Sequence, residues 1–185
     1  MLRYIYNLIF LLILPVIFLR LWRRSLKVPA YRLRWSERIG IFQGQGPKPG
    51  GIWIHAVSVG EIVAALPLIN AILQQYPQLS LTVTTTTPTG SQRLLQSVGG
   101  KVFHIYAPYD LPWAMSRFIK LVQPRLAVIM ETELWPNLLY VCNNAKIPVI
   151  NANGRLSAHS LRGYLRIKPI IESMLKQITC VAAQS

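Results

Sequence analysis

The sequence is poor in acidic residues and in cysteine. Six Asp and Glu stand against 20 Lys and Arg in 185 residues, which gives a net charge of +14. A chain this basic favours an acidic partner, either nucleic acid or anionic lipid. Cys142 and Cys180 lie in apolar runs without metal-ligand spacing, so we expect buried free thiols in a reducing compartment.

Several motifs are also missing. The sequence contains no G-x-G-x-x-G, no P-loop lysine and no metal-ligand spacing. It carries no nucleic-acid recognition motif, and its densest basic cluster directly follows an apolar segment. Anionic lipid is therefore favoured over nucleic acid as the partner.

Residues 4–21 are apolar except for Asn7 and Arg20. About 20 such residues cross a bilayer, so we predict a transmembrane anchor over residues 1–24, kinked at Pro15. The alternative is a cleaved signal peptide, although no small-residue cleavage site follows. Basic flanks stay cytoplasmic, which predicts an external N-terminus and a cytoplasmic domain; they are Arg20, Arg23, Arg24, Lys27, Arg32, Arg34 and Arg38.

The basic residues extend into a connector over residues 25–50, which ends in a Gly- and Pro-rich loop. The cluster serves as a topology signal, as a binding site for anionic lipid headgroups, or as both. We place the start of the globular domain, residues 51–185, after this loop.

From residue 51 onward, short apolar runs alternate with helical patterns. This alternation predicts an α/β domain with a parallel sheet and right-handed crossovers. The predicted strands are Gly51–His55, Leu79–Thr84, Lys101–Tyr106, Leu126–Met130, Pro148–Ala152 and Ile178–Ala182. The predicted helices are Glu61–Gln75, Gly90–Ser97, Pro112–Val122, Pro136–Ala145 and Leu161–Gln177.

The turn after the first strand holds Ser58, Gly60 and Glu61. Its spacing fits a capping box, in which Ser58 caps a helix and the Glu61 carboxylate reaches back to the backbone. Glu61 facing a cleft could instead accept a proton from a hydroxyl group, as general base catalysis requires. A capping role tolerates Gln at this position, whereas a catalytic base does not.

Two further strand ends carry polar side chains. Glu131 and Glu133 follow an apolar strand and either share the cleft with Glu61 or complement the dipole of the next helix. Arg155, in the turn 151–157, could pair with phosphate or sugar hydroxyls, or the turn is held by Asx hydrogen bonds. His55 and His104 lie within strands and are expected to be hydrogen-bonded core residues, and His159 carries no clear signal.

Four motifs together carry a family resemblance: His55-Ala-Val-Ser-Val-Gly-Glu61, Thr84-Thr-Thr-Thr-Pro-Thr-Gly90, Glu131-Thr-Glu-Leu-Trp-Pro-Asn137 and Asn153-Gly-Arg-Leu-Ser157. In this order they resemble the 3-deoxy-D-manno-octulosonic acid (Kdo) transferases of lipopolysaccharide synthesis. The resemblance implies a membrane-bound, metal-free, inverting glycosyltransferase of the B-type fold. Its Rossmann-like N-terminal domain binds the lipid A precursor lipid IVA, and its C-terminal domain binds the donor CMP-Kdo.

By this resemblance, Glu61 matches the proton acceptor and Glu131 matches a residue that stabilises the transition state. Ser58, Gly60 and Arg155 match acceptor-site positions. The sequence ends at Ser185, where the family continues with a donor domain, so we expect an acceptor half that is inactive alone. Two alternatives remain open, a glycosyltransferase with another nucleotide sugar and a non-catalytic, membrane-tethered lipid-binding module.

Overall fold

The computed structural model describes residues 2–155, 163–165 and 167–184. Six parallel strands form one sheet, which confirms the predicted Rossmann-like α/β class. The strands are β1 (Ile52–His55), β2 (Leu81–Thr85), β3 (Phe103–Tyr106), β4 (Leu126–Met130), β5 (Val149–Gly154) and β6 (Cys180–Ala183).

A helix follows each of the first five strands and returns the chain to the start of the next. These helices are α2 (Val59–Gln75), α3 (Pro88–Val98), α4 (Pro112–Val122), α5 (Pro136–Asn144) and α6 (Lys168–Leu175). Each of these helices except α2 has a proline in its first turn. The missing N–H of proline costs no intrahelical hydrogen bond at that position. The helix predicted over 161–177 lies partly outside the described residues.

The strand order is β3-β2-β1-β4-β5-β6. Strands β1 to β3 are added toward one edge of the sheet and β4 to β6 toward the other, so the order reverses between β1 and β4. Chains that leave these neighbouring strands turn to opposite faces and open a crevice beyond the carboxyl ends of the strands. We call this side the carboxyl edge of the sheet. The β1–α2 turn and the β4–α5 loop meet there, and they hold the carboxylates predicted from the sequence.

Two apolar cores cover the two faces of the sheet. One lies under α2 and α3 around Ile54 and Ile62, and the other lies under α4 and α5 around Trp53, Phe118 and Leu138. Side chains alternate between the faces of a strand, which explains why neighbours in β1 belong to different cores. The central apolar strands β1 and β4 are thus buried on both sides, as is typical of parallel sheets.

The connector lies against the edge strand β3. It forms two short 3₁₀ turns, Pro29–Arg32 and Trp35–Ile39. Side chains from between these turns and from the second turn satisfy two outward-facing backbone groups of that strand. The Arg34 guanidinium donates to the His104 carbonyl at 2.7 Å, and a Glu37 carboxylate oxygen accepts the Tyr106 N–H at 2.8 Å. These contacts cover an edge that would otherwise be open to pairing with another chain.

The N-terminal helix α1 (Leu2–Lys27) is long and apolar enough to cross a membrane, with a mean hydropathy of 2.2 over its most apolar window. Its side rests on the globular domain, which the sequence did not predict. Phe10 and Phe18 both pack against Tyr109, with ring centroids 6.2 and 5.7 Å apart. Tyr109 lies in the loop after β3, at the carboxyl edge.

The two cysteines differ in burial. Cys142 is buried in α5, and burial raises the pKa of its thiol to about 12. Cys180 is exposed on β6, so the prediction of two buried thiols was wrong for this residue. The reason is that β6 is an edge strand whose four residues are all exposed in this chain.

Candidate functional site

The β1–α2 turn is held by reciprocal hydrogen bonds between side chains and backbone. Ser58 adopts an extended conformation as the N-cap of α2, and its hydroxyl oxygen accepts the Glu61 N–H at 3.2 Å. A Glu61 carboxylate oxygen accepts the Val57 N–H at 2.9 Å. The arrangement is a capping box displaced by one residue, because the carboxylate bonds the residue before the N-cap.

Glu61 is nevertheless an unusual capping residue. Its side chain is buried, and burial raises the pKa of its carboxyl group above the ordinary value, against the lowering effect of hydrogen bonds from Val57 and Ser58. The charges of Glu133 and Glu131 raise this pKa further. Carboxyl groups from the end of the neighbouring strand β4 therefore act on Glu61 at the switch point of the sheet.

Glu131 occupies a constrained backbone position at the end of β4. Its φ angle of 53° lies in the left-handed region, which is uncommon for residues other than glycine. Neighbouring groups hold it there: its N–H donates to the Ala152 carbonyl at 2.8 Å, and its carbonyl accepts the Asn151 side-chain amide. Asn151 thus braces the loop that carries Glu131.

Glu133 is tied to the start of α5. A carboxylate oxygen accepts the Trp135 indole N–H at 2.7 Å, and that indole ring packs edge-to-face on His55 with centroids 4.6 Å apart. His55 is fully buried, and burial lowers the pKa of its imidazole to about 3. Its Nδ1 lies 2.8 Å from the Thr84 hydroxyl, so the predicted structural role of this histidine is confirmed.

His104 is likewise held by hydrogen bonds. Its Nδ1 lies 3.0 Å from an Arg34 guanidinium nitrogen, and because guanidinium only donates, Nδ1 accepts and Nε2 carries the proton. That proton is donated to the Thr85 hydroxyl at 2.9 Å. Burial and the Arg34 charge lower the pKa of His104 to about 3, so it is a neutral structural residue.

Arg155 lies apart from the β1–α2 turn. It is exposed at the end of β5 and lines a cavity of about 510 Å³ with Thr132, Asn151 and Lys168. Thr132 lies between Glu131 and Glu133, so this cavity adjoins the carboxylate loop from the β5 side. Ser157 and His159 fall outside the described residues. The structure thus groups Ser58, Gly60 and Glu61 in one turn and places Arg155 across the β4–α5 loop from them.

Asp110 is a buried carboxylate that the sequence did not single out. Its two oxygens accept the N–H groups of Asn137 and Leu138 at 3.0 and 2.8 Å, so a residue of the β3–α4 loop caps α5. The Tyr6 hydroxyl of α1 also bonds this carboxyl group. A signal was present, because Asp110 follows a predicted strand in a chain with only six acidic residues.

Arg38 was also not assigned a site role. Its guanidinium is buried, lies 4.6 Å from the centre of the Tyr106 ring, and donates to the Thr86 carbonyl at the end of β2 at 2.9 Å. Burial lowers the pKa of this group. The connector therefore places a cation at the carboxyl edge, one strand away from Glu61. An Arg beside Glu37, the single acidic residue of the connector, was the available signal.

Comparisons with known proteins identify the chain. A model of the 3-deoxy-D-manno-octulosonic-acid transferase family matches residues 33–185. A 3-deoxy-D-manno-octulosonic acid transferase of Haemophilus influenzae is 47% identical over 183 residues, which cover 98% of this chain and 43% of that protein. One from Bordetella pertussis is 36% identical over 166 residues, which cover 86% and 39%.

A probable mitochondrial 3-deoxy-D-manno-octulosonic acid transferase of Arabidopsis thaliana is 33% identical over 173 residues, covering 92% of this chain and 39% of that protein. The chain thus spans about two fifths of the length of these relatives. The family resemblance drawn from the four motifs is confirmed, and the chain belongs to the Kdo transferase family, of which it represents the N-terminal portion.

Proposed function

We propose that this chain is the acceptor half of an inverting glycosyltransferase that moves Kdo from CMP-Kdo to a lipid A precursor, lipid IVA. The donor CMP-Kdo would be bound by a C-terminal domain of the kind found in longer family members. No step of the proposal requires a metal ion. An anionic lipid acceptor also accounts for the strongly basic composition.

In this proposal Glu61 is the general base for the acceptor hydroxyl. One carboxylate oxygen holds the Val57 N–H and fixes the side chain, while the other receives the proton. Burial and the neighbouring carboxylates raise the pKa of Glu61, which makes it a better proton acceptor than an exposed carboxylate. Glu131 stabilises the charge that develops in the transition state, with Glu133 as the second choice for that role.

Ser58, Gly60 and Arg155 are proposed to contact the acceptor. Ser58 and Gly60 form the turn beside Glu61, and Arg155 offers a guanidinium to an acceptor phosphate from the far side of the β4–α5 loop. The observation that carries the proposal is the meeting of Glu61 with Glu131 and Glu133 at the switch point of the sheet, where open α/β folds bind their ligands.

The substitution Glu61→Gln in a full-length enzyme tests this role. Gln keeps an oxygen for the Val57 N–H but cannot take a proton, so we expect a folded protein whose transfer rate falls by about 10²-fold or more. Single-turnover transfer from CMP-Kdo to lipid IVA measures the effect, and the melting temperature reports folding.

Ser58→Ala is the comparison variant, because it removes the cap and one proposed acceptor contact but leaves the carboxylate. We expect it to lower stability by about 1 kcal/mol, with a smaller loss of rate than Glu61→Gln. If Glu61→Gln turns over normally, Glu61 is a capping residue and the proposed mechanism fails.

The 185-residue chain alone provides a second test. We expect it to bind lipid IVA vesicles without transferring Kdo, because the proposal assigns CMP-Kdo binding to a C-terminal domain of the kind found in longer family members. The assay is product formation with CMP-Kdo, alongside a full-length enzyme as the positive control. Transfer by the chain alone would show that it carries both substrate sites.

We further propose that the domain faces the cytoplasmic side of the inner membrane. The support is the basic cluster that begins in the last turns of α1 and continues into the connector, because positively charged flanks are retained on that side. A helix that spans the bilayer, as predicted from the sequence, and a helix that lies on it both agree with this placement of the domain.

A further inference from the structure

The placement of α1 points to how the chain sits on the membrane. We infer that α1 lies in the plane of the membrane interface, docked lengthwise on the globular domain, with both of its ends on the domain's side of the bilayer. Its outward apolar face is the surface that enters the lipid, and the partner is a bilayer rich in anionic headgroups.

The exposure pattern of α1 shows which face meets the domain. The residues that are at least partly covered recur every three or four positions: Arg3, Tyr6, Asn7, Phe10, Leu14, Ile17, Phe18, Leu21 and Ser25. This spacing is the period of one helix face. The covered stripe runs from the first turn to the last, so the helix is docked along its length and not only where it joins the connector.

Polar groups fix the N-terminal end of the docked helix. The Asn7 side-chain oxygen accepts the side-chain amide of the fully buried Asn137 at 2.7 Å. The Tyr6 hydroxyl bonds the Asp110 carboxyl group, and the Arg3 guanidinium lies 3.1 Å from the centre of the Tyr140 ring. Hydrocarbon would exclude these groups, so their partners on the domain explain their presence in an otherwise apolar helix.

The opposite end of α1 touches the domain side as well. Phe18 packs on Trp35 of the connector with centroids 5.5 Å apart, and the Ser25 hydroxyl accepts an Arg32 N–H at 2.9 Å. From Asn7 to Ser25 the helix axis runs about 27 Å, close to the ~30 Å of a bilayer core. The N-terminal end of α1 thus contacts the globular domain, and its C-terminal end contacts the connector, which is itself packed on β3 of that domain. A helix held at both ends in this way cannot place those ends on opposite sides of a membrane.

The free face of α1 is suited to lipid. Only 6% of the residues in its most apolar stretch are buried. Large apolar side chains such as Leu8, Leu12 and Val16 are 62–70% exposed. In the inferred arrangement this exposed apolar face is buried about 5–10 Å deep at the headgroup boundary, the depth typical of helices that lie in the interface. The exposed basic residues near the C-terminal end of α1 complement anionic headgroups; they are Arg20, Arg23, Arg24 and Lys27.

The docking site of α1 lies at the same edge of the sheet as the candidate active site. The domain residues that hold α1 are Tyr109 and Asp110 in the loop after β3 and Asn137 in the first turn of α5, all at the carboxyl edge. Glu61 lies at that same edge. An in-plane α1 therefore brings the lipid surface alongside the carboxylates, whereas a helix that left the domain to span the bilayer would abandon these contacts.

Protease accessibility in full-length protein distinguishes the two arrangements. One cleavage site is placed ahead of residue 1, and a control site is inserted between Gly99 and Gly100, an open turn of the domain. In inside-out vesicles, we expect the protease to cut both sites, and in right-side-out vesicles neither. If the protease cuts the N-terminal site in right-side-out vesicles and the control site in inside-out vesicles, α1 spans the membrane. Recovery of the chain in the soluble fraction excludes lipid as the partner.

Cross-linking tests the docking itself in the membrane. In a background with Cys142→Ala and Cys180→Ser, the pair Arg3→Cys and Tyr140→Cys should be joined by a short bismaleimide. The matched pair Leu12→Cys and Tyr140→Cys should not, because Leu12 lies on the exposed face. Equal cross-linking of both pairs, or of neither, contradicts the lengthwise docking. Both outcomes leave the proposed transferase function untouched, since that is measured by Kdo transfer.

Discussion

Acidic side chains are rare in this chain, and nearly all of them have a defined task. Glu37, Asp110 and Glu61 each accept a backbone N–H, and Glu131 and Glu133 adjoin Glu61 at the switch point. All five lie at or beside the carboxyl edge of the sheet. In a chain of net charge +14, a carboxylate is thus a strong indicator of a structural or functional position.

Asp110 gives a prediction about stability and pH. Burial raises the pKa of its carboxyl group from 3.8 to about 6, although hydrogen bonds from Asn137 and Leu138 oppose the shift. Between pH 4 and 6 the folded chain then holds a proton that the unfolded chain releases. The free energy of unfolding should therefore fall as pH rises through this window. Melting temperatures of the detergent-solubilised protein at pH 4–7 measure the slope.

Asp110→Asn is the control, because it cannot ionise and should lose this part of the slope. Asp110→Ala should be worse at every pH, since it leaves two buried N–H groups of α5 unpaired at a cost of about 1–3 kcal/mol each. A wild-type slope equal to that of Asp110→Asn would contradict the raised pKa.

At the residue scale, sequence reasoning found Glu61, Glu131 and Glu133 but not Asp110, and it did not find the long-range partners of these groups. The spacing of Ser58 and Glu61 predicted the capping geometry, because a capping box is a local pattern. It could not show that Asp110 caps a helix that begins 26 residues later, or that Arg38 reaches Thr86. Such contacts depend on which loops the topology brings together.

The connector is the element whose contacts yield the next prediction. The Glu37 carboxylate accepts the buried Tyr106 N–H and pairs with Arg34 at 2.6 Å. Glu37→Ala should destabilise the chain by about 1–3 kcal/mol, since it leaves this N–H unpaired at the edge of β3. Thermal melting of the variant tests this expectation.

The exposed pair of Lys168 and Glu172 on α6 provides the comparison for this variant. Its atoms are 3.6 Å apart and both side chains are more than half exposed, so Glu172→Ala should cost at most about 1 kcal/mol. Equal losses in the two variants would mean that Glu37 contributes only a surface ion pair.

Elements with strong local signals were predicted well. Leu126–Met130 and Pro112–Val122 have the predicted bounds, because one is an unbroken apolar run and the other begins with proline. Strands β2 and β3 begin two residues later than predicted, where apolar residues in the preceding turn extended the pattern. The 3₁₀ turns of the connector were missed, since short turns of this kind depend on contacts with β3.

Charge is the property of the whole molecule that predicts membrane affinity. The triple variant Arg23→Gln, Arg24→Gln and Lys27→Gln removes three exposed positive charges. Each contributes about 1 kcal/mol near an anionic surface, so binding to anionic vesicles should fall about fivefold per charge. Co-sedimentation measures the change, and binding to neutral vesicles should stay the same. An equal loss on both vesicle types would indicate misfolding or loss of apolar contact.

The overall architecture followed from the sequence, but the placement of α1 did not. Alternating strands and helices predicted a parallel sheet because that connection pattern has few solutions. The apolar run predicted a membrane helix from composition alone. The stripe that docks on the domain includes Asn7, which interrupts the run, yet its partner Asn137 lies 130 residues away along the chain. Periodicity within one segment cannot reveal such a partner.

The separation of Asn7 from Asn137 along the chain also delays the docking of α1 during synthesis. A ribosome adding about 5–20 residues per second needs roughly 7–26 seconds to synthesise the intervening 130 residues. During that interval α1 has emerged while its docking surface does not yet exist. The nascent helix must therefore be sheltered by a lipid bilayer or by a chaperone before the domain can receive it.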